Sequence, residues 1–149
     1  MAEVLFYHLT ESTLEQALPG LLERSVSRGW NCVVQAGSDE RRDALDQHLW
    51  TFRDDAFLAH GLEHEPHAGE QPILLTTSHV NPNGAQIRFL VDGALPPDLA
   101  GYDRAVFMFD GHDEGQLASA RERWKEMKAA GHDVTYWQQG PDRRWVQKS

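Results

Sequence analysis

The sequence predicts a single α/β domain on a mostly parallel sheet. Short apolar runs of four to six residues, rich in Val, Ile, Leu and Phe, recur along the chain. Between several of them lie longer segments whose apolar residues repeat at helical spacing, and glycines and prolines punctuate the joins. Strands alternating with helices in this way imply right-handed crossovers and parallel pairing. At 149 residues the chain suits one domain, read here as 1–149 with a basic tail over 138–149.

Val4-Leu5-Phe6-Tyr7 reads as the first strand. Ser12 or Thr13 is placed to cap a helix from Leu14, because a short side-chain oxygen satisfies open amides there. Leu14, Leu18, Leu21, Leu22 and Val26 give that helix its apolar stripe, and Gly29 ends it. Pro19 removes a backbone donor within it and predicts a kink or a late start. Trp30–Ala36 is a second strand, and Ser38 or Asp39 caps a second helix whose apolar side carries Ala44, Leu45, Leu49 and Trp50.

The polar stretch from Thr51 to Gln71 predicts a long loop, with a short helix at Phe57-Leu58. Ile73–Thr76, Ile87–Val91 and Ala105–Phe109 are further strands. Asn81-Pro82-Asn83-Gly84 is turn chemistry between the first two, and Asn83-Gly84 predicts one antiparallel pair in an otherwise parallel sheet. A helix over Gly115–Ala130, stopped by Gly131, leads to a last strand at Asp133–Trp137.

Composition limits the function. Apolar residues make up 40% and charged residues 25%, an ordinary globular balance. No apolar run is long enough to span a bilayer and no leader-like start is seen, which predicts a cytoplasmic protein without membrane contact. Cys32, the single cysteine, excludes an internal disulfide and a cysteine-rich zinc site; in the run Cys32-Val33-Val34 it reads as a buried, inert thiol. The net charge of −9 opposes a surface that tracks phosphate backbones.

Catalytic signatures are missing. The turn Leu9-Thr10-Glu11-Ser12 has no glycine to admit a pyrophosphate, and neither a phosphate loop nor a dinucleotide fingerprint occurs, so no cofactor is expected. Asp110 ends a strand as the metal-binding aspartate of a nucleoside triphosphatase would, but without the matching phosphate loop it reads as a loop-start residue with a local hydrogen bond. Ser78-His79 are adjacent without a strained nucleophile turn. His60, His64 and His67, with Glu63 and Glu65, are the one metal-like cluster; they would carry the alternative of a small metal-dependent enzyme. Gly61, Pro66 and Gly69 argue instead for a solvated loop.

Against the acidic background one stripe stands out. Arg121, Trp124, Lys125 and Lys128 fall at i, i+3, i+4 and i+7, on one helix face. Interleaved with Glu122 and Glu126, these cations also fit a plain solvated face, with Trp124 as core. As a site, the indole and the lysine stems would line an apolar notch, with the cationic heads receiving carboxylates of a short peptide. Arg143, Arg144 and Lys148 around Trp145 would add a second basic wall if the tail folded back. Direct stacking of single-stranded DNA on Trp124 is a third reading, opposed by the net charge.

Several segments resemble the chi subunit of the bacterial DNA polymerase III clamp-loader complex. They are Leu49-Trp50-Thr51-Phe52, Phe57-Leu58-Ala59-His60-Gly61, Pro72-Ile73-Leu74-Leu75-Thr76 and Phe107-Met108-Phe109-Asp110-Gly111. Ala120-Arg121-Glu122-Arg123-Trp124-Lys125, Gly131-His132 and Tyr136-Trp137 complete the set, in the family's order. The resemblance implies a Rossmann-like three-layer α/β sandwich without a phosphate-binding loop, and a noncatalytic replication connector. It further implies binding to the acidic C-terminal tail of single-stranded DNA-binding protein and to the psi subunit, with DNA reached only indirectly. Some members also act with an iron–sulfur DNA-repair helicase. The family's Arg-x-x-aromatic-Lys segment, with a further cation one turn on, maps to Arg121, Trp124, Lys125 and Lys128, and Trp145 is added as a weaker match. Trp124 stands where a tyrosine can occur.

Overall fold

The computed structural model describes residues 2–51 and 59–149 of the chain. Among them are eight strands, β1 (Glu3–Leu9), β2 (Cys32–Gln35), β3 (His60–Leu62), β4 (Ile73–Thr76), β5 (Ile87–Leu90), β6 (Arg104–Asp110), β7 (Asp133–Gln139) and β8 (Trp145–Gln147). Three α-helices accompany them: α1 (Leu14–Ser27), α2 (Asp39–Thr51) and α3 (Glu114–Ala129). The strands form one sheet in the order β3-β4-β2-β5-β6-β1-β7-β8, parallel throughout except for β8 against β7.

Crossover direction decides which face each helix covers. The steps β1→α1→β2 and β2→α2→β3 move one way along the sheet, and β6→α3→β7 moves the other. Equal handedness therefore puts α1 and α2 on one face and α3 on the opposite one. Leu14, Leu18, Leu22, Leu45 and Leu49 pack with Leu5, Val34, Ile73 and Val106 on the first face. Ala120 and Met127 of α3 pack with Val4, Phe6, Phe107 and Val134 on the second. Each fully buried leucine stabilises by about 1.5–3 kcal/mol relative to exposure.

Local signals set the helix starts. Thr13 caps α1 in a reciprocal box: its hydroxyl accepts from the Gln16 amide at 3.3 Å, and Gln16 Oε1 accepts from the Thr13 amide at 2.9 Å. Ser38 Oγ accepts from the Arg41 amide at 3.2 Å, so Ser38 rather than Asp39 precedes α2. Asp113 caps α3 through the Gln116 amide at 3.0 Å. Helix α1 runs from Leu14 through Pro19 without a late start. On α2 only Leu45 and Leu49 are buried; Ala44 is exposed, and Trp50 is 50% exposed, so neither extends the core.

Three expectations are corrected. Asn83-Gly84 makes a turn, with Gly84 at φ +61°, but not a hairpin, because β4 and β5 flank β2 and both run parallel to it. The Asn83 amide instead donates to Cys32 O at 3.1 Å and Gln71 O at 2.9 Å, tying the crossover to the base of the sheet. The stretch read as one long loop holds the edge strand β3 and a 3₁₀ turn at Ala68–Glu70; the helix expected at Phe57-Leu58 lies outside the described residues. The polar tail supplies β8 and the antiparallel pair.

Arg88 of β5 is fully buried. Its guanidinium donates to Gln35 Oε1 at 2.8 and 3.1 Å, to Val80 O and Tyr102 Oη at 2.9 Å, and to Ser78 O. One side chain thus joins β2 to the segments 77–86 and 91–103, which cover the α3 side of the sheet where α3 does not reach. Cys32 is fully buried, and burial pushes its thiol up to about 12, as the inert reading requires.

Candidate peptide-binding site

Leu117, Ala120, Arg121, Trp124 and Lys125 share one face of α3 and form one wall of a notch of about 610 Å³. His8 at the end of β1, Phe109 at the end of β6 and Tyr136 of β7 form the floor, and Ser149 closes one side. Sheet alternation explains the floor. Phe6 and Tyr136 are register partners at mid-strand, as are His8 and Phe109 near the carboxyl ends, and all point to the α3 side of the sheet.

Trp124 is half-buried. Its ring packs edge-on against Phe6 at 5.4 Å and Tyr136 at 5.8 Å, so it belongs to the core on one side and to the notch on the other. Lys128 Nζ sits 5.1 Å from the Trp124 ring centroid and braces the indole from outside the notch. Arg121 and Lys128 form no ion pair among the described residues, and Lys125 meets Glu122 only at 3.7 Å between two well-exposed side chains. Arg123 points elsewhere and pairs with Glu126 at 2.9 Å. The wall therefore offers two cations at the rim of an aromatic floor.

Tyr136 Oη lies 2.6 Å from His8 Nδ1, and the His8 ring stacks on Phe109 at 5.0 Å. Burial, then the neighbouring His112, holds His8 below its ordinary range, with Asp110 pulling the other way. Burial raises the Tyr136 phenol above its ordinary range, and the positive charge of Arg121 pulls it the other way. Leu117 and Ala120 were legible as further positions of the α3 stripe. His8 and Tyr136 were signalled only by strand alternation, which does not say which strands become neighbours.

Where this class of sheet binds phosphate, the loop after β1, the amides are already used. Gln139 Oε1 accepts from the backbone N–H groups of Thr10, Glu11 and Ser12 at 3.3, 3.1 and 3.0 Å. Its own amide donates to Ser12 Oγ at 3.1 Å, and the residue is 6% exposed. A side chain holds the place that an anion takes in nucleotide-binding relatives of this architecture. Asp110 accepts from the His112 amide at 2.8 Å, the local hydrogen bond expected of it.

A family model described as DNA polymerase III chi subunit, HolC, matches residues 1–135. The chain belongs to the DNA polymerase III chi subunit family. That family is one of noncatalytic accessory subunits of the replication holoenzyme. A probable DNA polymerase III subunit chi of Rickettsia prowazekii (strain Madrid E) is similar to it, 26% identical over 100 residues. The alignment covers 67% of this chain, which spans 59% of that relative. Arg121, Trp124, Lys125 and Lys128 lie within the part matched to the chi family; Tyr136 and Trp145 lie beyond it.

Two groups of sequence-selected residues part company in this chi-family fold. Trp145 of β8 is opposite Gln139, on the α1 face of the sheet, where it stacks on Tyr7 at 4.4 Å. It does not line the notch, because the β7–β8 register turns it away from α3. His60 is buried and meets Asp46 at 3.1 Å, whereas His64 and His67 are exposed, so the three do not converge. Among the described residues no group of three or more potential metal ligands comes together, and no helix is long and apolar enough to cross a membrane.

Proposed function

We propose that this chi-family chain is a replisome connector whose notch receives the acidic C-terminal tail of single-stranded DNA-binding protein. The observation that carries the reading is the placement of Arg121 and Lys125 on the rim of an aromatic cavity walled by Trp124 and floored by Tyr136 and Phe109. An apolar or aromatic residue of the peptide fits the floor, and its carboxylates meet the rim cations. The chain's net charge of −9 discourages DNA from competing for those cations. Family membership also supports pairing with the psi subunit of the clamp loader, and an iron–sulfur repair helicase is a partner of the same class.

Calorimetric titration with a peptide ending in aspartates and an aromatic residue tests the reading. Affinity should fall in the submicromolar-to-micromolar range, about 8 kcal/mol at the micromolar end. Unchanged affinity in both Trp124→Ala and Lys125→Ala would remove this site assignment.

A further inference from the structure

The notch floor carries a polar pair that recognition by Arg121 and Lys125 leaves unused. His8 Nδ1 and Tyr136 Oη are 2.6 Å apart, and both residues line the cavity. Such a bond has one donor at a time. With Nδ1 bare, the phenol O–H points at the imidazole and only oxygen lone pairs face the notch. With Nδ1 protonated, the imidazole donates to Oη, and the phenol O–H is released to donate into the notch. Lone pairs on the floor repel a carboxylate; a donor holds it.

We infer that the His8–Tyr136 pair is the specificity-determining floor of the site: a bound carboxylate accepts a hydrogen bond from the Tyr136 hydroxyl while His8 donates from Nδ1 to the phenol oxygen. This rests on the peptide-binding reading above and deepens it. The charge of the carboxylate also favours the imidazolium over a neutral ring, so binding is linked to uptake of one proton by His8. Tyr136 touches the ligand, and His8 acts through it as a positioning residue.

The groups facing His8 are Asp110 at the end of β6, His112 in the loop after it, Tyr136 on β7, and Arg121 and Lys125 across the notch on α3. Burial and His112 keep the unliganded imidazole below its usual range. The empty site is thus neutral at His8 near pH 7.5, and the linkage shows as tighter binding when the pH falls. The aspartates of the peptide titrate near 4, well below that window.

The test is calorimetry with the acidic peptide at pH 7.5, 6.5 and 5.5, in two buffers of different ionisation heat. The intact chain should bind about three- to tenfold more tightly at pH 5.5 than at 7.5, with net proton uptake, since one unit of pKa shift is a tenfold change. His8→Gln should flatten the profile and abolish the uptake, and the near-isosteric Tyr136→Phe should weaken binding and lessen both. A slope that is absent, or that persists in both variants while binding still depends on Lys125, overturns this inference and leaves the peptide site standing. No binding at any pH overturns both.

Discussion

The imidazole Nε2 of His48 lies 2.6 Å from the carbonyl oxygen of Glu15. Glu15 O is the acceptor that the amide of residue 19 would serve in an unbroken helix, and residue 19 is proline. A ring from α2 thus supplies the donor that α1 lacks, and the helix continues through Pro19. An ion pair between Arg41 and the Glu15 side chain fastens the same two helices. His48→Ala should cost about 1–2 kcal/mol by leaving that carbonyl unmet. Urea denaturation measures it; Pro19→Ala in the same background should recover most of the loss.

Gln139 satisfies three amides of the loop after β1 with one oxygen. Gln139→Leu keeps the volume and orphans all three, and should lower stability by about 2–4 kcal/mol. Hydrogen exchange at Thr10, Glu11 and Ser12 should rise together in that variant, which separates a local loss from general loosening.

Arg88 makes five hydrogen bonds to three segments and no ion pair with a carboxylate among the described residues. Arg88→Met leaves those acceptors buried and unmet, and should destabilise by about 3–5 kcal/mol. Tyr102→Phe removes one bond and should cost about 1 kcal/mol. Thermal unfolding of the two variants checks both the order and the gap.

Trp124→Ala and Lys125→Ala should each weaken the acidic peptide by about 1–3 kcal/mol, as truncation of a central interface residue does. Raising salt should weaken the intact chain and affect Lys125→Ala less, because the lost part is the screened part. Calorimetry at two ionic strengths reads both effects.

Cys32 gives an alkaline signature. Its folded thiol lies near 12 against an ordinary 9.0, so the unfolded chain releases that proton first. Stability should fall as pH rises above about 9, and Cys32→Ala should flatten that limb. Alkylation at pH 8 should require unfolding, which mass spectrometry after brief reagent exposure detects.

Much of the frame was legible because it is written locally. Strand runs, caps at Thr13 and Ser38, and the helical spacing of Arg121, Trp124 and Lys125 depend on near neighbours in sequence. The Asn83-Gly84 turn was legible too, but its use was not. A turn sets a local reversal, whereas hairpin or crossover depends on whether another strand, here β2, enters between. Trp145 looked like a partner of Trp124 because both are tryptophans among cations. The one-residue alternation of β8 put it on the other face.

By itself the sequence determined an α/β domain, a parallel sheet and a basic-aromatic helix face, since periodicity and capping act over a few residues. The tertiary structure alone decided that His8, Phe109 and Tyr136 meet under that face, that Arg88 is buried, and that Gln139 fills the loop after β1. Those residues are separated by up to 129 positions along the chain. Only strand order and register bring them within bonding distance, and both are fixed by the packing of the whole sheet rather than by any segment of it.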